Sequence, residues 1–462
     1  MNEKRSSFSS SLGFVLAAAG SAVGLGNIWR FPYVTAKDGG GIFLLIYLVL
    51  LLTFGFSLLV TEIAIGRMTK QSPLTAYGAV NKKWGFLGII ACLVPAIITP
   101  YYSVIGGWVF QYFFEFLSGN GLLAAEDGYF TSFITSGWGP IVMFGIFIAL
   151  TIAIVAKGVE SGIEKISSVL MPILVVLVIA ISVYSLTLSY TDAEGVTRTG
   201  LEGAKFYLIP DFSEMTVRTF LNTCMDAMGQ MFYSLSVAMG IMVAYGSYMK
   251  DDTSIIKSIN QIQIFDTGVA FFAGLMIVPA VFTFMGPEGM SAGPGLMFVS
   301  LPKVFAQMGT AGVFVGILFF LMVIFAALTS SISLLEAVVS SFADRFRLER
   351  KKAVTVSSVI VVIIGIIVCL GYNVLYFDYT LPNGAVGQIL DILDYVSNNV
   401  LMPLLSLLTC IFIGYIVGID RIVEEVKKCG MKFGRLKLFT VMVKYVAPVM
   451  LFILLLQAFG VL

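Results

Sequence analysis

Three clusters of residues in this 462-residue chain have the chemistry to hold a small ion or solute, and all lie within apolar runs. The first is Gly20-Ser21-Ala22-Val23-Gly24-Leu25-Gly26-Asn27, which interrupts the first hydrophobic segment. The second is Ser234-Leu235-Ser236-Val237-Ala238-Met239-Gly240 and the third is Ala326-Ala327-Leu328-Thr329-Ser330-Ser331. Asp266 adds a carboxylate inside another apolar stretch that has no basic residue nearby. Breaking a helix in hydrocarbon frees N–H and C=O groups that each cost several kcal/mol if unpaired. Half-helix N-termini suit a carboxylate, while freed carbonyls and hydroxyls suit a hard cation such as Na⁺. The chemistry expected is binding of an anionic or zwitterionic small molecule beside a cation. Each feature also has a plainer origin. Small residues permit close helix packing, hydroxyls bond back to their own i−4 carbonyls, and a membrane carboxylate can be half of an ion pair. Two breaks at matching positions favour binding over packing.

The elements that position these residues follow from composition. The chain is 58% hydrophobic and 12% charged, about half the charge of a soluble domain, so lipid is its main solvent. A net charge of +1 gives no argument for nucleic acid. The absence of histidine removes the commonest metal ligand and general base. Cys92, Cys224, Cys369, Cys410 and Cys429 lack CxxC spacing, which argues against a metal site or disulfide framework. The polar start MNEKRSSFSSS, without a cleavage pattern, reads as leading into an uncleaved span.

Spans of about 20 apolar residues are expected at 12–36, 41–66, 87–117, 138–156, 163–187, 215–249, 260–284, 312–342, 354–372, 386–417 and 440–460. Basic clusters (Lys4/Arg5, Arg67–Lys83, Lys157/Lys165, Lys250/Lys257, Arg345–Lys352, Arg421–Lys437) fall on one side. The positive-inside rule puts that side and the N-terminus in the cytoplasm of a cell-membrane protein, and the C-terminus outside. Of the two long outer loops, 188–214 and 285–311, the second is half apolar and is expected to fold inward as a lid. Interrupted spans five apart predict an all-α integral membrane protein forming one transporter domain over 1–462. Its two inverted five-helix repeats would cover 9–187 and 215–417, with an extra helix at 440–460.

The motifs GSAVGLGNIWRFPY (20–33), GGGIF (39–43), EIAIGR (62–67), PYYSVIGGW (100–108), GQMFYSLSVAMG (229–240) and AALTSSIS (326–333), with Asp394, resemble the neurotransmitter:sodium symporter family, in its prokaryotic amino-acid branch. The resemblance implies the 5+5 inverted-repeat (LeuT-type) fold and sodium-driven uptake of amino acids by alternating access. It implies one Na⁺ held by Ala22, Asn27, Ser234, Asp266 and the substrate carboxylate. A second would be held by Gly20, Val23, Ala326, Thr329 and Ser330, with no organic cofactor. The substrate would touch Ser21, Ala22, Leu25, Gly26, Ile98, Tyr102, Tyr233, Ser234, Ser236, Ala238, Met239, Ser330, Ser333 and Leu334. Arg30 and Asp394 resemble an outer gate, and Arg5, Ser247, Tyr248 and Asp344 an inner latch with Phe8 beside it. Gly162 and Pro172 stand at the spacing where some relatives unwind span 5.

Departures from the family pattern sharpen this. Chloride-dependent relatives place Asn and, one turn on, Ser where this chain has Asp266 and Ala270, so transport here is expected to be chloride-independent, with Asp266 taking a proton on the return step. Amine carriers place Asp where Gly24 stands, which favours amino acids, hydrophobic or aromatic given Ala238 and Met239. A monomer or weak dimer in the bilayer is expected. The alternatives are a proton-coupled carrier of the same fold, a channel or sensor on that scaffold, and, least, an enzyme.

Overall fold

The computed structural model describes residues 6–210, 212–213, 215–292 and 295–461; Arg5 lies outside them. Among the described residues, nine helices are continuous and apolar enough to cross a membrane: Gly41–Thr69, Lys82–Leu117, Gly139–Ala156, Val159–Leu186, Ile255–Met285, Thr310–Phe346, Arg350–Leu370, Ile389–Val417 and Leu436–Ala458. A tenth span is the pair Ser11–Ala22 and Gly26–Lys37, bent by 53°. By position, Val217–Ser234 and Ile241–Tyr248 complete the sixth of eleven. The first half of that span is too polar to be recognised by hydropathy, because it turns Asp226 and Gln230 toward other helices rather than lipid.

Each break starts where helix-forming residues give out. Gly24 and Gly26 leave room for close approach, since a side-chain carbon at 24 would lie 2.6 Å from Ser330 Oγ and 2.9 Å from Tyr102 OH, and one at 26 would lie 2.3 Å from Tyr233 Cδ1. In span 6, Ser236 (φ 52°), Ala238 (φ 61°) and Gly240 (φ 69°) all occupy the left-handed region, which costs the two non-glycine residues roughly 1–2 kcal/mol each. Such strain persists only where the surroundings over-determine it.

The face that carries the N-terminus and the basic loops is sealed. Phe8 is buried against Phe14, Tyr245 and Tyr248 with edge-on rings. Ser10 Oγ accepts the Gly13 N–H at 2.9 Å and caps the first helix. Ser9 donates its N–H to Glu164 Oε2 (2.8 Å) and its hydroxyl to Oε1 (2.5 Å). Glu164 ends the π-helical start of span 5, Val159–Glu164, so Gly162 lies in an irregular turn and Pro172 in the regular helix beyond. Tyr248 donates to Glu336 Oε1 (2.7 Å), and Glu336 pairs with Arg350 (2.7 Å). Arg67, fully buried, binds Glu425 Oε1 (2.6 Å) and the Thr253 carbonyl (2.6 Å), pinning the helix Ile419–Lys427 under span 2. In the loop after span 6, Asp251 pairs with Lys70 at 2.9 Å, and that contact holds its carboxyl below the ordinary range.

On the opposite face the expected loop 188–214 is a hairpin, Ser189–Thr191 with Thr197–Thr199, followed by the helix Gly200–Leu208. The segment Leu296–Gln307 folds inward as its apolar half demands. Phe298 is buried among Trp29, Trp108, Tyr112 and Phe130, and its carbonyl accepts Tyr112 OH at 2.7 Å. A second hairpin, Tyr379–Thr380 with Val386–Gly387, was not expected from sequence. Removing one partner of a buried ion pair costs about 3–5 kcal/mol. Glu425→Ala, which strands Arg67, is therefore expected to lower the apparent melting temperature of the purified protein markedly, with Glu424→Ala on the exposed side as the silent control.

Candidate functional site

The break in span 1 is satisfied in good part by other spans. The Leu25 N–H donates to Tyr102 OH from span 3 (3.2 Å), and Gln230 Nε2 from span 6 donates to the Gly26 carbonyl (3.0 Å). The Ser21 carbonyl accepts both Ser236 Oγ from span 6 (2.9 Å) and Ser330 Oγ from span 8 (3.0 Å). From within the span, Gly24 N–H meets Asn27 Oδ1 at 3.4 Å, Val23 N–H the Ala19 carbonyl at 2.7 Å and Asn27 N–H the Gly24 carbonyl at 3.2 Å. The break in span 6 is held by Glu62 of span 2, whose Oε1 accepts the Ala238 N–H at 2.7 Å. Without these partners each group would stand unpaired in a low-dielectric interior.

Asp266 is the centre of the first cluster. Its side chain is wholly buried, and Oδ1 accepts Asn27 Nδ2 (2.7 Å) and Ser234 Oγ (2.8 Å), while Tyr47 OH lies 3.5 Å from Oδ2. Among the described residues no basic side chain comes within 4.0 Å of it. The carboxylate and the hydroxyls of Ser234 and Tyr47 are hard oxygens of the kind an alkali cation takes, while Asn27 faces Asp266 with its amide nitrogen. Burying that charge unpaired would cost several kcal/mol.

The second cluster joins spans 1 and 8. Ser330 Oγ lies 3.4 Å from the Gly20 carbonyl, and a side-chain carbon at Gly20 would sit 3.2 Å from Thr329 Cβ. Thr329 Oγ1 bonds back to the carbonyls of Phe325 (3.0 Å) and Ala326 (3.1 Å). Gly20, Ala326, Thr329 and Ser330 are thus gathered at one point. Val23 N–H closes the last turn of the first helix on the Ala19 carbonyl at 2.7 Å.

Between the clusters lies a cavity of about 20 Å³ lined by Ser21, Ala22, Gly24, Gly26, Ile98, Tyr102, Tyr233, Ser236, Met239, Ile241, Ser330 and Leu334. That is room for roughly one water. Three residues expected at the solute turn elsewhere, Ser234 to Asp266, Leu25 to the outer cavity, and Ser333 to Thr329 and Tyr245, while Ala238 gives its backbone N–H to Glu62 and does not line the cavity. Ser333 turns away because Tyr245 OH donates to it at 2.7 Å. Arg30 and Asp394 line a common cavity of about 310 Å³ with Tyr233, directly above the smaller one. They do not form an ion pair within 4.0 Å; Asp394 accepts Asn398 Nδ2 at 2.6 Å and Arg30 reaches the Gly229 carbonyl at 3.5 Å. On the sealed face Ser247 bonds the Ala244 carbonyl, and Asp344 Oδ2 accepts the Ser72 N–H at 2.7 Å.

Sequence reasoning passed over Glu62, Gln230 and Tyr47, which complete the site. Glu62 and Gln230 both stand in quoted motifs, EIAIGR and GQMFYSLSVAMG, where a polar side chain inside a span was signal enough; Tyr47 carries no signal without the fold.

Two broken helices crossing at mid-depth, with polar groups from spans 2, 3, 7 and 8 converging on them, define a secondary transporter of the five-plus-five inverted-repeat class with an eleventh helix. Comparison with known proteins agrees. The sequence profile described as "Sodium:neurotransmitter symporter family" matches residues 5–124 and 135–461, and the chain belongs to that family. It is 36% identical over 472 residues to an uncharacterised sodium-dependent transporter of Bacillus subtilis, covering 100% of this chain and 99% of that one. It is 34% identical to another of Methanocaldococcus jannaschii, covering 93% and 86%. The crystal structure of MhsT in complex with L-phenylalanine superposes with a TM-score of 0.85 at 35% identity, over 99% of this chain and 100% of that one. The protein is therefore a sodium-coupled symporter, not an enzyme.

A methyl group at position 24 would lie 2.6 Å from Ser330 Oγ and 2.9 Å from Tyr102 OH. Gly24→Ala is expected to cut sodium-driven solute binding at least tenfold while the fold, read by thermal unfolding, stays intact. Asp266→Asn removes the buried carboxylate, and charge-assisted contacts are worth about 1.5–3 kcal/mol; the sodium concentration for half-maximal binding is expected to rise by roughly 10- to 100-fold.

Proposed function

We propose that the protein takes up amino acids with hydrophobic or aromatic side chains, driven by two sodium ions and independent of chloride. The observation that carries this reading is the buried Asp266 carboxylate, surrounded only by neutral donors, beside the broken first span. A buried charge in that setting calls for a mobile cation. One Na⁺ would be held by Ala22, Asn27, Ser234 and Asp266, completed by the solute carboxylate. A second would lie among Gly20, Val23, Ala326, Thr329 and Ser330, displacing the hydroxyl contacts that join these groups. The solute carboxylate would meet Tyr102 and the backbone at 24–26, and its amino group the carbonyls near Ala22, Tyr233 and Ser236.

The side chain would enter the small cavity by moving Met239, Ile98 and Leu334. Methionine adapts to such demands at little cost. L-phenylalanine bound to MhsT supports an aromatic solute here. Arg30 and Asp394 would close above Tyr233. Arg5 with Ser247, Tyr248 and Asp344 would latch the far side. Sodium and solute sharing ligands makes each stabilise the other, and linkage makes that reciprocal. The cell membrane is the proposed location, with the basic face and N-terminus cytoplasmic. The two repeats would span 9–187 and 215–417, with 440–460 outside them.

Proton coupling is the second reading, since Asp266 is able to carry a proton on the return step. Thr329 and Ser330 oppose it as the driving ion, because a proton-driven site can place a lysine there and span 8 has none before Arg345.

The test is a competition panel of all twenty amino acids against labelled phenylalanine in proteoliposomes, with and without sodium. Large apolar side chains should compete best, and only with sodium. Replacing chloride by gluconate should leave the initial rate unchanged. Tyrosine should compete where tyramine does not, since the pocket offers no carboxylate to replace the missing carboxyl contact. Uptake that collapses in gluconate, or that persists in sodium-free buffer under a proton gradient, would overturn the reading.

A further inference from the structure

Among the described residues, Arg435 has no carboxylate counter-charge within 4.0 Å. It immediately precedes span 11 and lies half-exposed, with its guanidinium carbon 3.7 Å over the Phe56 ring centre of span 2. One nitrogen donates to the Leu52 carbonyl (3.3 Å) and another to Asn260 Oδ1 of span 7. Arginine carries five N–H donors, so this fork has donors to spare. Its neighbours run from polar to apolar along span 7: Lys257, exposed, then Asn260, then Ile264, 72% exposed, at the i, i+3 and i+7 positions of one helix face. Leu52, 44% exposed, continues the apolar side on span 2. That order, cation then amide then bare aliphatic, matches the passage from headgroup to acyl chain.

We infer that the groove between spans 2, 7 and 11 binds the headgroup of an anionic glycerophospholipid, its phosphate on Arg435 and its net negative charge answered by Lys257. Arginine takes phosphate through paired N–H bonds, and basic pockets between membrane helices suit anionic headgroups. The site bears on transport through span 7. One turn beyond Asn260, Gln263 Nε2 donates to the Leu51 carbonyl at 2.6 Å, and Asp266 follows three residues later. The lipid would fasten the π-helical segment of span 2, Leu51–Gly55, to the helix that carries the carboxylate. The binding itself does not depend on which solute is carried.

The test is thermal unfolding of the full chain in nanodiscs of phosphatidylcholine alone against an equal mixture with phosphatidylglycerol. A ligand of the folded state raises the melting temperature. The anionic lipid should raise it by about 2 °C or more, and Arg435→Gln should lose most of that rise. Should Arg435→Gln fail to fold, Lys257→Gln serves the same comparison with an exposed side chain, and should lose part of the rise. Lys82→Gln, on a different basic loop, should keep all of it. Inorganic phosphate in phosphatidylcholine discs should give no rise. An equal loss in Lys82→Gln, an undiminished rise in both groove variants, or a rise from inorganic phosphate alone would overturn the inference.

Discussion

The rest of the structure depends on one requirement: backbone groups freed where a helix is broken inside the bilayer must be paired by something other than water. Span 1 breaks at 23–25, and its neighbours are placed by that fact. Tyr102 from span 3, Gln230 and Ser236 from span 6 and Ser330 from span 8 each supply one bond to the broken backbone. Span 6 breaks at the same depth and takes Glu62 from span 2. The polar groups that hold the breaks together are thus drawn into the one place where a solute would find them. Assembly of the bundle and construction of the site are the same event.

Charge distribution separates scaffold from working parts. Arg67 with Glu425 is buried and matched within the chain, and buried Glu336 is matched by the partly exposed Arg350. Both pairs tie together the basic face. Asp266 is buried as deeply, yet its partners are an amide and hydroxyls. Among the described residues it has no counter-ion, a condition it shares with Glu62, whose partner is the Ala238 N–H.

Much of this was legible in the sequence because the features were locally extreme. A glycine-rich run inside an apolar segment, hydroxyls clustered in span 8 and a carboxylate in span 7 each violate what lipid demands, so they located both breaks and both clusters. Span limits came within about five residues, the widest gaps being the starts at 82 and 255, where polar turns extend the helices beyond the expected 87 and 260. What stayed hidden was whatever depends on direction. Ser333 lies in a telling motif, but only the position of Tyr245 decides that its hydroxyl faces away from the cavity. The separation of Arg30 from Asp394 likewise follows from the competing bonds to Gly229 and Asn398. Short hairpins and π-helical turns leave no hydropathy trace, so the one at 379–387 and those at 51–55 and 159–164 emerged only in three dimensions.

The cap of the first helix has a mechanical side. The Glu164 carboxylate grips Ser9 while lying in the very space that a side chain at Gly13 would fill. Helix and carboxylate are fitted like a shaft and its key. A side chain at position 13 would collide with the carboxylate, so the glycine is what lets the π-helical start of span 5 lie this close to the first turn of span 1.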